Sequence, residues 1–594
     1  MRESNNPAGS SQPEVDIQWR VEIPLRDGLN LSATVYLPAK RIKPTPAIFT
    51  LTPYIGQSYH ERGMYFAANG YPFLTVDVRG RGDSQGVFQP FVNDAHDAFD
   101  VVEWLAGQPY CNGKVAMWGG SYGGSVQWSA AKEFPPHLDT IVPVAAPYFG
   151  VDFPVRGNIA APYWMQWLTL VTGRAAQERI FWNNGRYWGA KFRQWAESGA
   201  AFKDLDKQLG NPSPVFQEWC SHPQQDTYWD GFNPTSKEYA RLSIPVLTIT
   251  GIYDGDQLGA LMHYQQHMRH GSAANRERHY LVIGPWDHAG TRTPALEFCG
   301  LKVGTASLVD LPRLHLEWYA WTMQDGPKPA FLKKNVAYYV MGAEKWRYAD
   351  SLEAITARSV ALYLHSNSNP TDVFRSGTLS VIAAVQGEPD HYVYDPSDVA
   401  LAALESTVDP ENRVDHRMVY ASIGRHLVYH SAPFARDIEI SGFFKFHAWL
   451  SIDQPDTDFR AAVYEVGLDG VAIQLTTDVI RARYREGLRE AKLIQTRDPL
   501  RYDFEGFPFV SRIAKKGTRL RLVVGPINSI YSQRNYNSGG IVAEESGRDA
   551  RPVTVRLFHE GLRASALHVP LGHPDDGGGS AASVSDEYFF QDCG

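Results

Sequence analysis

The sequence predicts an α/β protein: a largely parallel sheet flanked by helices, interrupted by a helical insertion and followed by a β-rich sandwich. Three observations carry this. Apolar strand-like runs alternate with helical periodicity from Pro46 to Ala145 and return from Ile244 to Ile283. Between Tyr148 and Arg241 that rhythm stops, and seven of the sixteen tryptophans gather there. Beyond Pro329, short β-type runs bounded by Gly, Pro, Asn and Asp take over.

At 594 residues the chain exceeds what one core holds, so several domains are expected. With 43% apolar and 21% charged residues the composition is that of an ordinary globular protein. A net charge of −8 without any basic run gives no sign of a polyanion partner, so no nucleic acid is expected. Cys111, Cys220, Cys299 and Cys593 form no C-x-x-C pair, which argues against a disulfide framework and a cysteine zinc site. The polar start MRESNNPAGSSQPEVD has no signal-peptide core, and no apolar run reaches transmembrane length. A cytoplasmic protein with no membrane partner is expected, and residues 1–16 are read as a flexible tail.

Two alternating runs between Ile17 and Leu37, separated by Arg26-Asp27-Gly28, predict a hairpin. Pro46 to Leu51 is a buried strand that ends in Thr52-Pro53-Tyr54. Loops after parallel strands face the active-site edge, so Tyr54 belongs there, unless it is simply a packed aromatic. The next strand, Pro72–Val78, runs into Arg79 to Gly86, which holds two decoys. Gly80-Arg81-Gly82 begins like a dinucleotide fingerprint but lacks the third glycine and the helix, and Arg81-Gly82-Asp83 spells an adhesion tripeptide that turn chemistry explains.

A helix over Asp94 to Leu105 precedes the apolar run Val115 to Trp118, which leads into Gly119-Gly120-Ser121-Tyr122-Gly123. This is G-x-S-x-G in a strand, turn, helix setting, where small flanking residues permit a strained turn that presents a serine hydroxyl. Ser121 is the candidate nucleophile. Further on, Ile244 to Thr250 ends in Tyr253-Asp254-Gly255-Asp256, and His279 to Ile283 ends in Gly284-Pro285-Trp286-Asp287-His288. Serine, acid and histidine thus follow one another in the order that α/β-hydrolases use, with Asp254 or Asp256 as the acid. His263, His267 and His270 share a helix face, but without a glutamate in the H-E-x-x-H position they do not make a metal site. No metal and no cofactor is expected.

The insertion at 148–241 reads as a cap over the active-site edge. Most of its aromatics belong to its own core; Trp164, Trp167 and Trp229, with Trp286 outside it, are the candidates to line a substrate pocket.

The chain from Ile17 onward resembles the cocaine-esterase and X-Pro dipeptidyl-peptidase family of serine hydrolases, which includes the α-amino-acid ester hydrolases. The matching stretches are Thr52-Pro53-Tyr54, Asp77 to Ser84, the Gly119 to Gly123 turn, His222-Pro223 with Tyr228-Trp229, Tyr253-Asp254-Gly255 and Gly284 to His288. Pro455 to Phe459, Arg481 to Arg485 and Asn535 to Gly540 resemble its C-terminal signatures. The resemblance implies an α/β-hydrolase domain over 17–147 and 242–330, a helical cap over 148–241 and a C-terminal β jelly-roll domain over 331–594. It implies a triad of Ser121, Asp254 and His288, and an oxyanion hole made by the Tyr54 hydroxyl and the Tyr122 N–H.

The expected function is hydrolysis of a small-molecule carboxylic ester, or an amide, through an acyl-enzyme. The alternatives are an α-amino-acid ester hydrolase or β-lactam acylase, and an aminopeptidase that removes X-Pro dipeptides. Both need carboxylates for a free ammonium group, for which Asp226, Asp230 and Asp256 are candidates. A binding protein that uses the jelly roll without catalysis is the alternative of another class, and a homo-oligomer is open.

Overall fold

The computed structural model describes residues 15–40, 43–182 and 184–573. Most of the expected tail, the Gly-rich stretch from Asp575 to Ser583 and Cys593 lie outside the described residues. The tail boundary shifts, because Val15 and Asp16 already pair with Pro38 and Leu37 in a strand.

Ten strands form the first sheet. Eight come in sequence order as β1 (Val15–Pro24), β2 (Asn30–Pro38), β3 (Thr45–Thr52), β4 (Phe73–Asp77), β5 (Cys111–Gly120), β6 (Leu138–Val144), β7 (Val246–Tyr253) and β8 (His279–Asp287). Their spatial order is β1-β2-β4-β3-β5-β6-β7-β8. β1 and β2 form the antiparallel hairpin, and β4 through β8 run parallel. Parallel strands are buried on both faces, which is why β3, β7 and β8 read as unbroken apolar runs. Helices α1 (His60–Ala68), α2 (Asp94–Ala106) and α3 (Tyr122–Ala131) make the first crossovers.

Val336–Val340 was expected in the C-terminal sandwich and belongs instead to this first sheet. It runs parallel to β8, pairing Val336 with Leu281 and Tyr338 with Ile283, and Lys345–Ala349 closes the edge beside it. A short run buried throughout suits either sheet; the pairing partner decides, and periodicity does not reveal partners.

Between β6 and β7 the chain leaves the sheet and folds into short helices, among them α4 (Tyr163–Leu170) and α5 (Glu178–Trp182). Their aromatic residues pack mainly on one another: Trp164 meets Trp219 edge-on at 5.5 Å, and Trp219 stacks on Trp167 at 6.1 Å.

From Thr356 to Gly572 the strands join in a second, mostly antiparallel 13-stranded assembly with its own core of Leu362, Phe446, Phe459, Leu522 and Leu567. The three C-terminal signatures meet in one buried network. Arg481 pairs with Asp458 at 2.8 Å, Arg483 pairs with Asp456 at 2.8 Å, and Asn535 Nδ2 donates to both carboxylates at 2.7 and 2.9 Å. Arg481 Nη1 also donates to the Asn158 carbonyl at 3.0 Å, so this network holds the helical insertion against the sandwich. Buried ion pairs add little net stability, but each partner needs the other, and this fixes orientation.

Candidate active site

Ser121 sits between the last residue of β5 and the first of α3, with φ 59° and ψ −121°. A side-chain-bearing residue rarely adopts that conformation, and the surrounding contacts impose it. Ser121 N donates to the Val144 carbonyl at 2.9 Å, while the Ser121 carbonyl accepts from Gly124 N at 2.8 Å. The glycines are steric requirements: a Cβ on Gly119, whose φ is 154°, would lie 3.0 Å from the Gly123 carbonyl, and one on Gly124 would lie 2.6 Å from the Val144 carbonyl. Tyr122 opens α3, and the first N–H groups of a helix have no partner within it. Its ring is clamped, stacking on Phe91 at 4.4 Å, and its hydroxyl accepts from Phe91 N at 3.1 Å.

β7 and β8 end side by side and deliver the acid and the histidine. His288 Nδ1 lies 2.7 Å from Asp254 Oδ1 and 3.7 Å from Asp256 Oδ2. Asp254 is further held by Thr250 Oγ1 at 2.9 Å and by the Asp256 backbone N–H at 3.1 Å. The hydrogen-bonding acid is therefore Asp254. Burial would raise its pKa, but the charge and hydrogen bond of His288 override that and lower it. Burial would lower the pKa of His288, and Asp254 turns the shift upward. Asp256 is pushed up to about 7, first by burial and then by the charge of Asp254. Asp152, which accepts from Tyr148 N at 2.9 Å, is raised well above its ordinary value by burial and by Asp256.

Tyr54 follows β3. Its hydroxyl contacts the Ser121 side chain and accepts from Trp167 Nε1 at 3.1 Å; burial pushes its pKa up to about 12. Ser121, His288, Tyr54 and Trp167 line one cavity of about 190 Å³, with Tyr59, Tyr163, Leu170, Phe181, Trp182 and Arg292 among the other walls.

Of the four tryptophans expected in a pocket, only Trp167 lines this one. Trp164 is buried in the core of the insertion, its Nε1 on the Pro154 carbonyl. Trp229 donates to the His222 carbonyl at 3.1 Å, and Trp286, near the end of β8, buries its ring and donates to the Ser307 carbonyl at 3.0 Å. These three are packing residues, because an apolar ring with one N–H is satisfied by a single buried carbonyl. Tyr163, Phe181, Trp182 and Arg292 were missed. Tyr163 and Trp182 lie on short helices of the tryptophan-rich insertion, whereas nothing in the sequence marks Arg292.

Asp226 caps the helix Thr227–Asp230 and meets His222 Nδ1 at 2.7 Å, while Asp230 pairs with Arg489 at 2.8 Å. Of the three carboxylates considered for an ammonium group, only Asp256 stands beside the histidine. His263 and His267 are spent on the fold: His263 bonds the Tyr239 hydroxyl at 2.7 Å and His267 faces His279 at 2.9 Å. Arg81 is fully buried, with Nε on the Pro53 carbonyl at 2.9 Å, so the adhesion tripeptide is not displayed. A larger cavity of about 300 Å³ lies in the sandwich and does not include Ser121; Asp398 on its wall is paired with Arg425 at 2.9 Å.

The strand order, the turn that carries Ser121 and the acid–histidine pair at the ends of β7 and β8 define an α/β-hydrolase. Residues 27–290 match the family described as X-Pro dipeptidyl-peptidase (S15 family), and residues 331–556 match the X-Pro dipeptidyl-peptidase C-terminal non-catalytic domain. The cocaine esterase of Rhodococcus sp. (strain MB1 Bresler) is 26% identical over 579 residues, covering 93% of this chain and 98% of that protein. Two solved structures share the fold. An α-amino acid ester hydrolase has a TM-score of 0.79 at 22% identity, covering 96% of this chain and 98% of that one. An aminopeptidase from a marine sediment Thaumarchaeota archaeon has a TM-score of 0.80 at 20% identity, covering 96% and 99%. The chain belongs to the cocaine-esterase and X-Pro dipeptidyl-peptidase family, and it is a hydrolase of that serine peptidase and esterase class. Among the described residues no helix is long and apolar enough to cross a membrane.

Proposed function

We propose that this hydrolase cleaves carboxylic esters through an acyl-enzyme, with Ser121 as nucleophile, His288 as general base and acid, and Asp254 as the carboxylate that orients it. The observation that carries this reading is the 2.7 Å contact of His288 Nδ1 with Asp254 on the wall of the cavity that Ser121 also lines. With Nδ1 engaged, Nε2 is the nitrogen left to take the Ser121 proton and return it to the leaving oxygen. Asp254 stabilises the imidazolium that forms. Water then hydrolyses the acyl-serine by the same route. The Tyr54 O–H and the Tyr122 N–H receive the negative charge that develops on the carbonyl oxygen, each contributing about 3 kcal/mol. The relative named cocaine esterase supports an ester over an amide.

Replacing Ser121 by Ala tests this directly. Turnover of a p-nitrophenyl ester and labelling by an organophosphonate should both vanish; persistent labelling would put the nucleophile elsewhere.

A second reading, an acyl group that carries a free α-ammonium, is favoured by Asp256. Its carboxylate stands 3.7 Å from His288, its pKa is raised to about 7, and Asp152 is raised as well. A substrate cation beside these acids would stabilise their ionised forms. A preference for alanine p-nitrophenyl ester over the propionate ester that disappears in Asp256→Asn supports it, and equal rates in the wild-type protein remove it.

A further inference from the structure

Among the residues that line the Ser121 cavity, one permanent cation has no part in the triad. Arg292 stands on the turn after β8 that also carries His288. Thr291 Oγ1 donates to the His288 carbonyl at 2.7 Å, Gly290 N donates to Asp287 Oδ1 at 2.7 Å, and Arg292 N donates to the Ala289 carbonyl at 3.1 Å. The side chain runs back over Gly120, where a Cβ would come within 2.4 Å of Nη1 and 2.9 Å of Cδ. The guanidinium thus lies against the strand end that delivers the nucleophile.

Nη1 is buried and has no hydrogen-bond partner. Among the described residues no carboxylate forms an ion pair with Arg292. Its charged neighbours are Arg62, which donates to the Arg292 carbonyl at 3.1 Å, His288 and Asp256; Glu178, whose carboxylate accepts from Ser58 Oγ at 3.3 Å, lines the same cavity. A guanidinium stays charged at any physiological pH, and a buried donor without an acceptor costs free energy. Nη1 is shut in against Gly120, but among the described residues no other nitrogen of the guanidinium donates to the protein either, and Arg292 lines the cavity, so an acceptor for the rest of its fork can arrive with the ligand.

We propose that Arg292 recognises a carboxylate on the leaving-group half of the ester. The side follows from proton transfer. The general acid must stand beside the leaving oxygen, so the wall that carries His288 and Arg292 faces that half. The aromatic wall of Tyr163, Trp167 and Phe181 is left for the acyl group. A planar guanidinium fork matches the two oxygens of a carboxylate. The proposal rests on ester hydrolysis at Ser121.

The test compares kcat/KM for 4-carboxyphenyl acetate with that for its neutral isostere, 4-carbamoylphenyl acetate. A charge-assisted hydrogen bond predicts a preference of about 10- to 100-fold for the carboxylate in the wild-type protein. The ratio should fall toward unity in Arg292→Gln and stay intermediate in Arg292→Lys. A wild-type ratio at or below unity, or a ratio that survives in Arg292→Gln, overturns the proposal. A preference for monophenyl succinate, whose carboxylate lies on the acyl half, overturns the side assignment. The wild-type ratio decides even if the glutamine variant does not fold. Hydrolysis of the carbamoyl ester by the wild-type protein tests the ester reading separately, since Arg292 is read only from the ratio.

Discussion

The indole Nε1 of Trp167 donates to the hydroxyl of Tyr54 at 3.1 Å. An indole N–H is a donor only, so Tyr54 must accept there and direct its own O–H elsewhere. The Ser121 side chain is the other group that this hydroxyl contacts. A residue of the helical insertion therefore constrains where the hydroxyl proton of a sheet-edge loop can point.

Trp167→Phe keeps an aromatic ring against Phe91 and Tyr122 and removes the donor. The expected result is a fall in kcat of about 3- to 10-fold, the worth of one neutral hydrogen bond, with a smaller change in KM. A double-mutant cycle with Tyr54→Phe separates orientation from packing. In the Tyr54→Phe background the second substitution should cost no further kcat, and full additivity would reduce Trp167 to a wall residue.

Tyr54→Phe alone should lower kcat on the order of 10²-fold with little change in KM, because the donor serves the charge that appears only in the transition state. Steady-state kinetics on a neutral ester read this out.

The pH profile follows from His288, which must be neutral to accept the Ser121 proton. Because its pKa is raised above 6.5, kcat/KM should climb with pH along a limb whose midpoint lies above 6.5. Asp254→Asn removes the group that overrides burial, so the midpoint moves downward while kcat falls about 10⁴-fold. Asp256, raised to about 7, titrates nearby, and the limb should persist in Asp256→Asn.

Trp286, near the end of β8, is fully buried and does not line the cavity. Trp286→Ala should cost about 3–5 kcal/mol of stability, seen as a lowered Tm, with KM of the folded protein unchanged. A raised KM would return this side chain to the pocket.

Asp458→Ala leaves Arg481, 2% exposed, without its closest counter-charge. A loss of about 3–5 kcal/mol is expected, while replacing both partners by apolar residues of similar volume should recover much of it. Thermal unfolding of the single and double variants distinguishes the two.

The candidate triad could be put forward from the sequence because each member follows an apolar strand of one parallel sheet. Strands that run parallel deliver their trailing loops to the same edge, so the order Ser121, Asp254, His288 along the chain carries spatial information. Tyr54 was legible for the same reason. Trp164 and Trp167 lie three residues apart on α4, and no local pattern says which of them reaches the cavity. Docking of α4 on the sheet edge assigns Trp164 to the core and Trp167 to Tyr54. Arg292 was invisible, since a lone arginine in a loop has no signature and its significance lies in what it fails to meet.

By itself the sequence determined the turn that carries Ser121, the loops that carry Asp254 and His288, and the alternation of parallel strands with helices, all of which depend on residues close along the chain. Only the tertiary structure decided that Val336–Val340 joins the first sheet, that Trp167 and not Trp164 lines the Ser121 cavity, and that the Arg292 guanidinium, among the described residues, lies against Gly120 without a hydrogen-bond partner. Those outcomes turn on contacts between groups far apart in sequence, and packing alone sets such contacts.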